Sequence, residues 1–165
     1  MHYAIACFVA LLSPAPQAKE YHEFDYWSGH KVGSSVTMKL EMEAQGAKIL
    51  VELTRTIIEL GTDKLVVESK TKVSVGGMAQ PESTEKEDIQ KDKDKDPIKV
   101  EKEGEEEIEV AGKKIKCRWI EGTQKETKLK FWVTKDVPGG VVKGEASGGE
   151  LPGAMKMLAT AWEKK

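Results

Sequence analysis

Four carboxylates in the middle of the sequence have the spacing of a calcium-binding loop. They fall at positions 1, 3, 5 and 12 of the EF-hand template, and they are Asp92, Asp94, Asp96 and Glu103. The template requires glycine at position 6 for a sharp turn, whereas this chain has Pro97 there. Lysines alternate with the aspartates and offset the charge that would attract a cation. We therefore predict a solvated loop here and no metal site.

Histidine, a common general base and metal ligand, is scarce in this chain. The three histidines are His2, His22 and His30. His22 and His30 lie close to Glu23 and Asp25, but the spacing matches no established ligand pattern, so we interpret both as exposed and unliganded. The sequence also lacks a Gly-x-Ser-x-Gly nucleophile elbow. These features favour a protein that is not an enzyme and uses no cofactor and no metal.

The thiol of Cys117 is a further candidate for chemistry. Cys117 alternates with Ile115 and Trp119 on one side of a strand pattern, while basic residues occupy the other side. This position favours a small buried hydrophobic side chain. The alternative is a reactive thiol, or a thiol linked to a partner. The other cysteine, Cys7, lies in the N-terminal apolar segment.

Aromatic side chains are densest near the beginning of the chain, in a group that consists of Tyr21, Phe24, Tyr26 and Trp27. The group predicts a segment that packs over one end of a curved sheet, or a platform that binds a ligand by stacking. We select Tyr26 and Trp27, with Trp119 and Phe131 from later strands, as candidate ligand-lining residues. Trp132 is predicted to lie on the solvent-exposed face of its strand, which makes it a candidate contact for a partner protein.

The charge balance excludes some classes of partner. Of the 165 residues, 26 are Lys or Arg and 28 are Asp or Glu, so the formal net charge is −2. A nucleic-acid-binding domain needs a strongly basic face, so we expect no nucleic-acid partner. Only Arg55 and Arg118 could provide the bidentate contacts by which arginine binds phosphate or carboxylate groups.

The N-terminal segment has the character of a secretory signal peptide. Residues 4–12 are almost wholly apolar, and this stretch is too short to span a bilayer as a helix. We predict a signal peptide over residues 1–18 and one exported domain, periplasmic or secreted, over residues 19–165. The alternatives are a lipoprotein lipidated at Cys7 and a cytoplasmic protein with a buried N-terminal element. No later segment is apolar enough to form a transmembrane segment in the mature chain.

Alternation of apolar and polar residues from residue 32 onward indicates β-strands. Short turns rich in Gly or Asp separate the first three strands, which indicates an antiparallel meander. Residues 78–97 are polar and of low complexity, so we predict a flexible loop there. Short strands are predicted over residues 98–102 and 106–110, while residues 154–163 fit either a helix or a closing strand.

The predicted strands have one apolar face and one charged face. A sheet of this kind must curl on itself or fold into two layers to bury its apolar side. We therefore predict an all-β fold, with a single antiparallel meander of seven or eight strands and no clear helix. The meander should form a strongly curved sheet or an open barrel.

Two stretches carry a resemblance to known proteins. The first is Trp27 followed by residues 31–36, and the second is residues 131–133 followed by residues 137–143. They resemble uncharacterised exported bacterial β-sheet proteins, which are in turn similar in strand order to the half-barrel of periplasmic lipoprotein carriers. The resemblance implies a concave apolar surface that takes acyl chains and is closed by helices. This sequence departs from that pattern, because it lacks clear helices to close the sheet.

Three functions are open at this stage. We expect most a non-enzymatic exported domain whose curved sheet binds an apolar small molecule or an envelope protein. The alternative is a structural or protein-interaction module of the cell envelope that has no small-molecule ligand. An enzyme ranks third, because no convergent catalytic set is visible in the sequence. A dry concave pocket would favour the first function, whereas a filled core would favour the second.

Overall fold

The computed structural model describes most of the chain, over residues 21–44, 46–91, 93, 98–149, 151 and 153–165. The predicted signal peptide over residues 1–18 lies outside the described residues, and so do the three aspartates of the calcium-loop spacing. Within the described residues, no helix is long and apolar enough to cross a bilayer.

Over the described residues, the secondary structure consists of one short helix and ten strands. The helix α1 spans Glu23–Trp27, and the strands in chain order are β1 (Ser35–Ala44), β2 (Ala47–Leu60), β3 (Lys64–Val75), β4 (Met78–Ala79), β5 (Ser83–Gln90), β6 (Lys99–Val110), β7 (Lys113–Gln124), β8 (Thr127–Val133), β9 (Val141–Gly148) and β10 (Met155–Glu163).

All ten strands belong to one antiparallel sheet, with the order β4-β3-β2-β1-β10-β9-β8-β7-β6, and β5 also pairs with β3. The sheet is therefore two meanders, β1–β5 and β6–β10, joined where β1 pairs with β10. It is not closed into a barrel. The strand β6 forms one edge, and β4 and β5 follow one another along the opposite edge.

The all-β antiparallel prediction is confirmed, but the predicted number of strands, seven or eight, is wrong because the structure has ten. The two short strands predicted before and after Gly104 are one continuous strand, β6. The ambiguous segment at residues 154–163 is a strand, β10. It forms the middle of the sheet, between β1 and β9.

The predicted polar loop over residues 78–97 contains two strands. Gly76 and Gly77 have φ values of 56° and 87° and make a tight turn, after which β4 and β5 return along β3. The strand β5 has only one buried apolar side chain, Ile89. It is held by backbone pairing with β3 and by cross-strand contacts such as Lys64 Nζ to Asp88 Oδ2 at 2.7 Å. An edge strand needs no alternating apolar pattern, so composition predicted a loop.

One buried cluster joins the two halves of the sheet. Val36, Ile57 and Val67 come from β1–β3, while Val110 and Trp132 come from β6 and β8. A flat sheet could not bring these strands together, so the sheet curves around the cluster. Register shifts in four strand pairs, including those of β1 with β10 and β8 with β9, add local bends.

The helix α1, which was not predicted, bridges the two halves of the sheet. A five-residue helix is too short to be stable alone, so tertiary contacts must hold it. Its Phe24 and Trp27 are buried in the cluster, and Trp27 packs against Gly139 in the turn between β8 and β9. Phe24 and Trp27 of the aromatic group are therefore part of the core of the fold.

A comparison of two glycine substitutions tests the packing of α1. Gly139 and Gly112 have similar positive φ values of 76° and 72°. A Cβ at Gly139 would lie 2.6 Å from Cζ2 of Trp27, whereas a Cβ at Gly112 would meet nothing within 4 Å. Gly112→Ala should cost about 1–2 kcal/mol of unfolding free energy from backbone strain alone. Gly139→Ala should cost about 1–3 kcal/mol more, because Trp27 must shift.

Urea unfolding of the two variants and the wild-type chain measures this difference. If both alanine variants lose the same free energy of unfolding, Trp27 can move without an energetic penalty, and α1 is then not tightly packed.

Candidate functional site

The strand register places Trp132 on the same face as Trp119. Trp119 pairs with Trp132, while Ile120 pairs with Phe131, and directly paired residues share a face of the sheet. Trp132 is 5% exposed, so the prediction that it lies on a solvent-exposed face is wrong. The alternation was misleading because β8 has buried apolar residues on both faces, with Leu129 on the side opposite to Trp132.

The ring of Trp132 is enclosed by charged side chains. Its Nε1 donates a hydrogen bond of 2.8 Å to Oε2 of Glu106 on β6. The ammonium groups of Lys143 and Lys130 lie 4.0 Å and 5.1 Å from the ring centroid. The sequence pattern indicates only that these lysines are polar, whereas the structure places both over the ring in cation–π contacts. Trp132 is therefore part of the interior, and its indole nitrogen is satisfied within the chain.

Trp119 is the more accessible of the two tryptophans. It is half-buried, and Nζ of Lys130 lies 4.9 Å from its ring centroid. Its indole also crosses the neighbouring strand at Gly104, where a Cβ would lie only 2.6 Å from Nε1 of Trp119. The ring of Trp119 therefore extends over β6, at the free edge of the sheet.

Phe131 lies on the other face, away from Trp119. It is half-buried, and its ring sits against Gly144 on β9, where a Cβ would lie 2.8 Å from Cδ1 of Phe131 and 2.9 Å from Cε of Met157. The glycine gives room for both side chains. The structure therefore separates Trp119 and Phe131, which were predicted to line one site.

Tyr26 and Trp27 hold the helix in place. Tyr26 is half-buried, stacks on Tyr21 with 5.1 Å between ring centroids, and packs against Gly140. Trp27 is 0% exposed, and its Nε1 donates a hydrogen bond of 3.1 Å to Oε1 of Glu23. The four predicted ligand-lining residues are thus distributed over α1, β7 and β8, and their known contacts are with the fold itself.

Arg55 of β2 connects α1 to two strands. Its guanidinium carbon lies 5.3 Å from the ring centroid of Trp27, one of its Nη atoms pairs with Glu23, and the other pairs with Oε2 of Glu87 on β5 at 3.1 Å. The Arg55 side chain is 15% exposed. The scarcity of arginine in the sequence argued against recognition of phosphate or carboxylate ligands, and here the planar guanidinium of Arg55 joins a ring and two carboxylates inside the chain.

The contribution of Arg55 can be measured against an exposed ion pair. Arg55→Met should lower the free energy of unfolding by about 2–3 kcal/mol, because it removes two charge-assisted hydrogen bonds and the contact with Trp27. Lys48→Met removes the 3.1 Å pair of Lys48 with Glu41, in which both side chains are more than half exposed, and should cost less than about 1 kcal/mol. Urea unfolding at neutral pH gives both values, and similar losses would contradict a central role of Arg55.

His30 is buried, so the prediction that it is exposed is wrong. The residue is 8% exposed, and its Nε2 is buried without a hydrogen-bond partner in the described structure. It lies by the backbone of Lys135 and Val137 and near Lys164, which pairs with Asp136 at 3.2 Å. Burial, followed by repulsion from Lys164, lowers the pKa of His30 below its usual value of 6.5. Hydrogen bonds to the backbone and attraction to Asp136 raise the pKa, but their combined effect is smaller.

The lowered pKa of His30 predicts a loss of stability in mild acid. The unfolded chain takes up a proton at His30 near pH 6.5, and the folded chain does so only at lower pH, so the unfolded state binds more protons in between. The stability linked to His30 is therefore fully present above about pH 6.5, the pKa of the unfolded chain, and is lost as the pH falls towards the lower pKa of the folded chain. Urea midpoints between about pH 7.5 and about pH 5 should fall less for His30→Gln than for the wild type. Identical slopes for both chains would contradict this role.

Cys117 is a buried thiol and is free of disulfides. It is 3% exposed, and its Sγ lies 3.7 Å from the carbonyl oxygen of Ile115. Burial, with the nearby carboxylates of Glu106 and Asp136, raises the pKa of Cys117 to about 11. A thiol in this state is protonated at neutral pH and is a poor nucleophile, so the small buried hydrophobic side chain is the interpretation that the structure supports.

The described surface has several open grooves, including two of more than 500 Å³. One, of about 520 Å³, crosses β1–β4, and its apolar residues are Leu40, Leu50, Val51, Val73 and Ala79. Charged side chains such as Lys39, Glu52 and Lys72 also line this groove. The other, of about 560 Å³, lies at the beginning of β7 and is lined by four lysines, with Trp162 and Asp136.

The described residues contain no group of three or more His, Cys, Asp or Glu side chains that could hold a metal ion. Glu103, the one described residue of the calcium-loop spacing, pairs instead with Arg118, whose Nε donates a hydrogen bond of 2.8 Å to Oε2 of Glu103.

Comparison with known proteins finds distant structural similarity among solved structures. No family model matches the chain, and no curated protein matches it. Among solved structures, the chain is similar to MucB in a crystal structure of MucB in complex with MucA(peri), with a TM-score of 0.42 and 11% sequence identity. The match covers 86% of this chain and 55% of that chain, so the present chain spans about half the length of MucB in that structure. At this level of similarity, the match indicates neither a shared ligand nor a shared partner.

Proposed function

We propose that this chain is a non-enzymatic, exported domain of the cell envelope that binds another protein. The observation that carries the proposal is a filled interior combined with an open sheet edge. The aromatic side chains that would be expected to hold an apolar ligand pack instead against the chain's own elements, while a strand of twelve residues, β6, lies at the end of the sheet.

The filled interior argues against a deep ligand cavity between the two halves of the sheet. Trp27 and Trp132 are both in the buried cluster, and their indole nitrogens donate to Glu23 and Glu106. An apolar cargo would have to displace large side chains whose burial contributes about 1.5–3 kcal/mol each. Binding in that place would therefore compete with the packing of the fold.

The open edge supports protein binding. An edge strand carries unpaired N–H and C=O groups at alternate residues, and a strand from another chain can pair with them. Main-chain pairing gives affinity, and the side chains on the two faces give specificity. An exported location rests on the signal-like character of residues 1–18.

The groove across β1–β4 supports a second candidate, an apolar small molecule. Leu50 on its wall is 40% exposed, and it lies among other apolar side chains of the groove, which together offer an apolar surface to a ligand. A ligand there would be amphipathic, because Lys39, Glu52 and Lys72 lie beside the apolar residues. The residues that line this groove do not include the predicted ligand-lining residues Tyr26, Trp27, Trp119 and Phe131.

Two measurements on the full chain separate these candidates. A photoreactive amino acid is placed singly at Glu107 on β6, Lys86 on β5, Leu50 in the groove and Leu158 on β10, and the chain is expressed in a bacterial host and irradiated. A protein-interaction domain should give a discrete protein adduct from some positions and none from others, and the adduct should form again from purified components. Native mass spectrometry of the gently purified chain should show the mass of the protein alone.

An extra mass that organic solvent removes, together with cross-links to lipid from Leu50 only, would overturn protein binding and establish the small-molecule function. Cross-links of equal yield from all four positions would show non-specific association, and would also count against the proposal.

A further inference from the structure

We propose that the outer edge of β6 binds an extended protein segment in which basic and apolar residues alternate. This inference rests on the proposed function and names the class of partner. The added segment would pair with β6 as an eleventh strand and would extend the sheet beyond its present edge.

The length of β6 is the first argument. The strand has twelve residues, Lys99–Val110, and β7 pairs with it along nearly all of this length. No other described strand pairs with β6, so its other side presents backbone donors and acceptors at alternate residues. Natural proteins usually keep exposed edge strands short or bent. A long edge that is paired on one side along almost its full length is therefore a suitable template for strand addition.

The negative charge of β6 determines which side chains a partner strand should carry on one of its faces. The strand contains six glutamates and two lysines. Glu105, Glu107 and Glu109 lie on one face, directly opposite Arg118, Lys116 and Lys114 of β7. A strand added on the other side of β6 would stand opposite the same three carboxylates, which are exposed. Basic side chains at alternate positions would continue the rows of opposite charge, whereas acidic side chains directly opposite would be repelled.

The other face of β6 calls for apolar side chains. Gly104 and Ile108 lie on this face, paired with Trp119 and Ile115 of β7, and Glu106 between them accepts the hydrogen bond from Nε1 of Trp132. The half-buried indole of Trp119 crosses Gly104 towards the free edge. An apolar residue of the added strand would pack on this ring and on Ile108, and would complete the burial of Trp119. Partly exposed tryptophans at the centre of a contact often supply much of the binding energy.

A second copy of this chain is a poor occupant of the same edge. Pairing of β6 with β6 would bring two glutamate-rich strands together, and like charges directly opposite in a sheet are destabilising. The strand β5 forms the other free edge, and its Glu87 and Asp88 already pair with Arg55 and Lys64. The edge of β6 therefore has negative charges that a partner could neutralise, and basic residues of the partner would do so.

Synthetic peptides test the proposal on the full chain. The probe is a peptide of about ten residues in which lysine and valine alternate, a length that matches an ordinary strand. One control has the same composition with all lysines at one end. A second control keeps the alternation but carries N-methyl groups on alternate amides, which removes the hydrogen-bond donors along one side. The alternating probe should bind at least about tenfold more tightly than either control.

Two charge-reversed variants provide a matched comparison. Glu107→Lys/Glu109→Lys changes the free edge, and Glu82→Lys/Glu85→Lys makes the same change in net charge near β5. The first variant should lose about tenfold or more in affinity for the alternating probe, while the second should change by less than about threefold. Hydrogen exchange on binding should slow in residues 99–110 and not in residues 83–90. Equal losses in both variants, equal binding of the grouped peptide, or protection at β5 would each overturn the proposal.

Failure of this inference can be distinguished from failure of the proposed function. If a protein partner is captured and reconstituted but still binds the Glu107→Lys/Glu109→Lys variant normally, the protein-interaction function stands and the β6 edge is not its site. If the alternating peptide binds at β6 but no protein adduct forms in the cell, the edge is competent and the proposed function is wrong.

Discussion

The pairing of β1 with β10 is the contact on which the whole sheet depends. Without it, β1–β5 and β6–β10 would be two separate antiparallel sheets, each with an apolar face to cover. The register runs from Ser35 opposite Glu163 to Met42 opposite Met155, with one bulge on the way. This pairing turns two weakly covered sheets into one curved sheet that encloses a common cluster. The helix α1 and Arg55 then fasten the two halves at a second place.

Curvature explains why so few residues outside the sheet are needed for a core. In a flat sheet, helices or a second sheet must cover each apolar face. Here the side chains of β6–β8 meet those of β1–β3 directly, and Phe24 and Trp27 of α1 fill the remaining space. The cost of this arrangement is that large side chains such as Trp27 and Trp132 occupy the volume between the halves. A fold that fills its own concave side must bind its partners on edges and outer faces, which is the basis of the proposed function.

Alternation in the sequence was enough to predict strands such as β1, in which buried and more exposed residues alternate. The prediction failed for residues whose burial depends on their place in the sheet and not on the local apolar–polar pattern. The strand β5 is almost wholly polar because it lies at an edge, and β8 is apolar on both faces, which reversed the predicted exposure of Trp132. The burial of His30 depends on residues 135–137 and on Lys164, which no local pattern connects with it. Of the candidate site residues selected from the sequence, only Trp119 lies at the proposed binding edge, where its ring crosses Gly104 of β6.

The central position of β10 has a consequence for the life of the chain before it is folded. Among the described strands, β10 is the last to be synthesised, yet it pairs with both β1 and β9 in the middle of the sheet. A nascent chain that lacks β10 consists of two unconnected meanders, and long-range pairings of this kind form slowly. The chain would therefore stay loosely structured until its last described strand is available. Completion of the sheet would thus be delayed until almost the whole of the described chain has been synthesised.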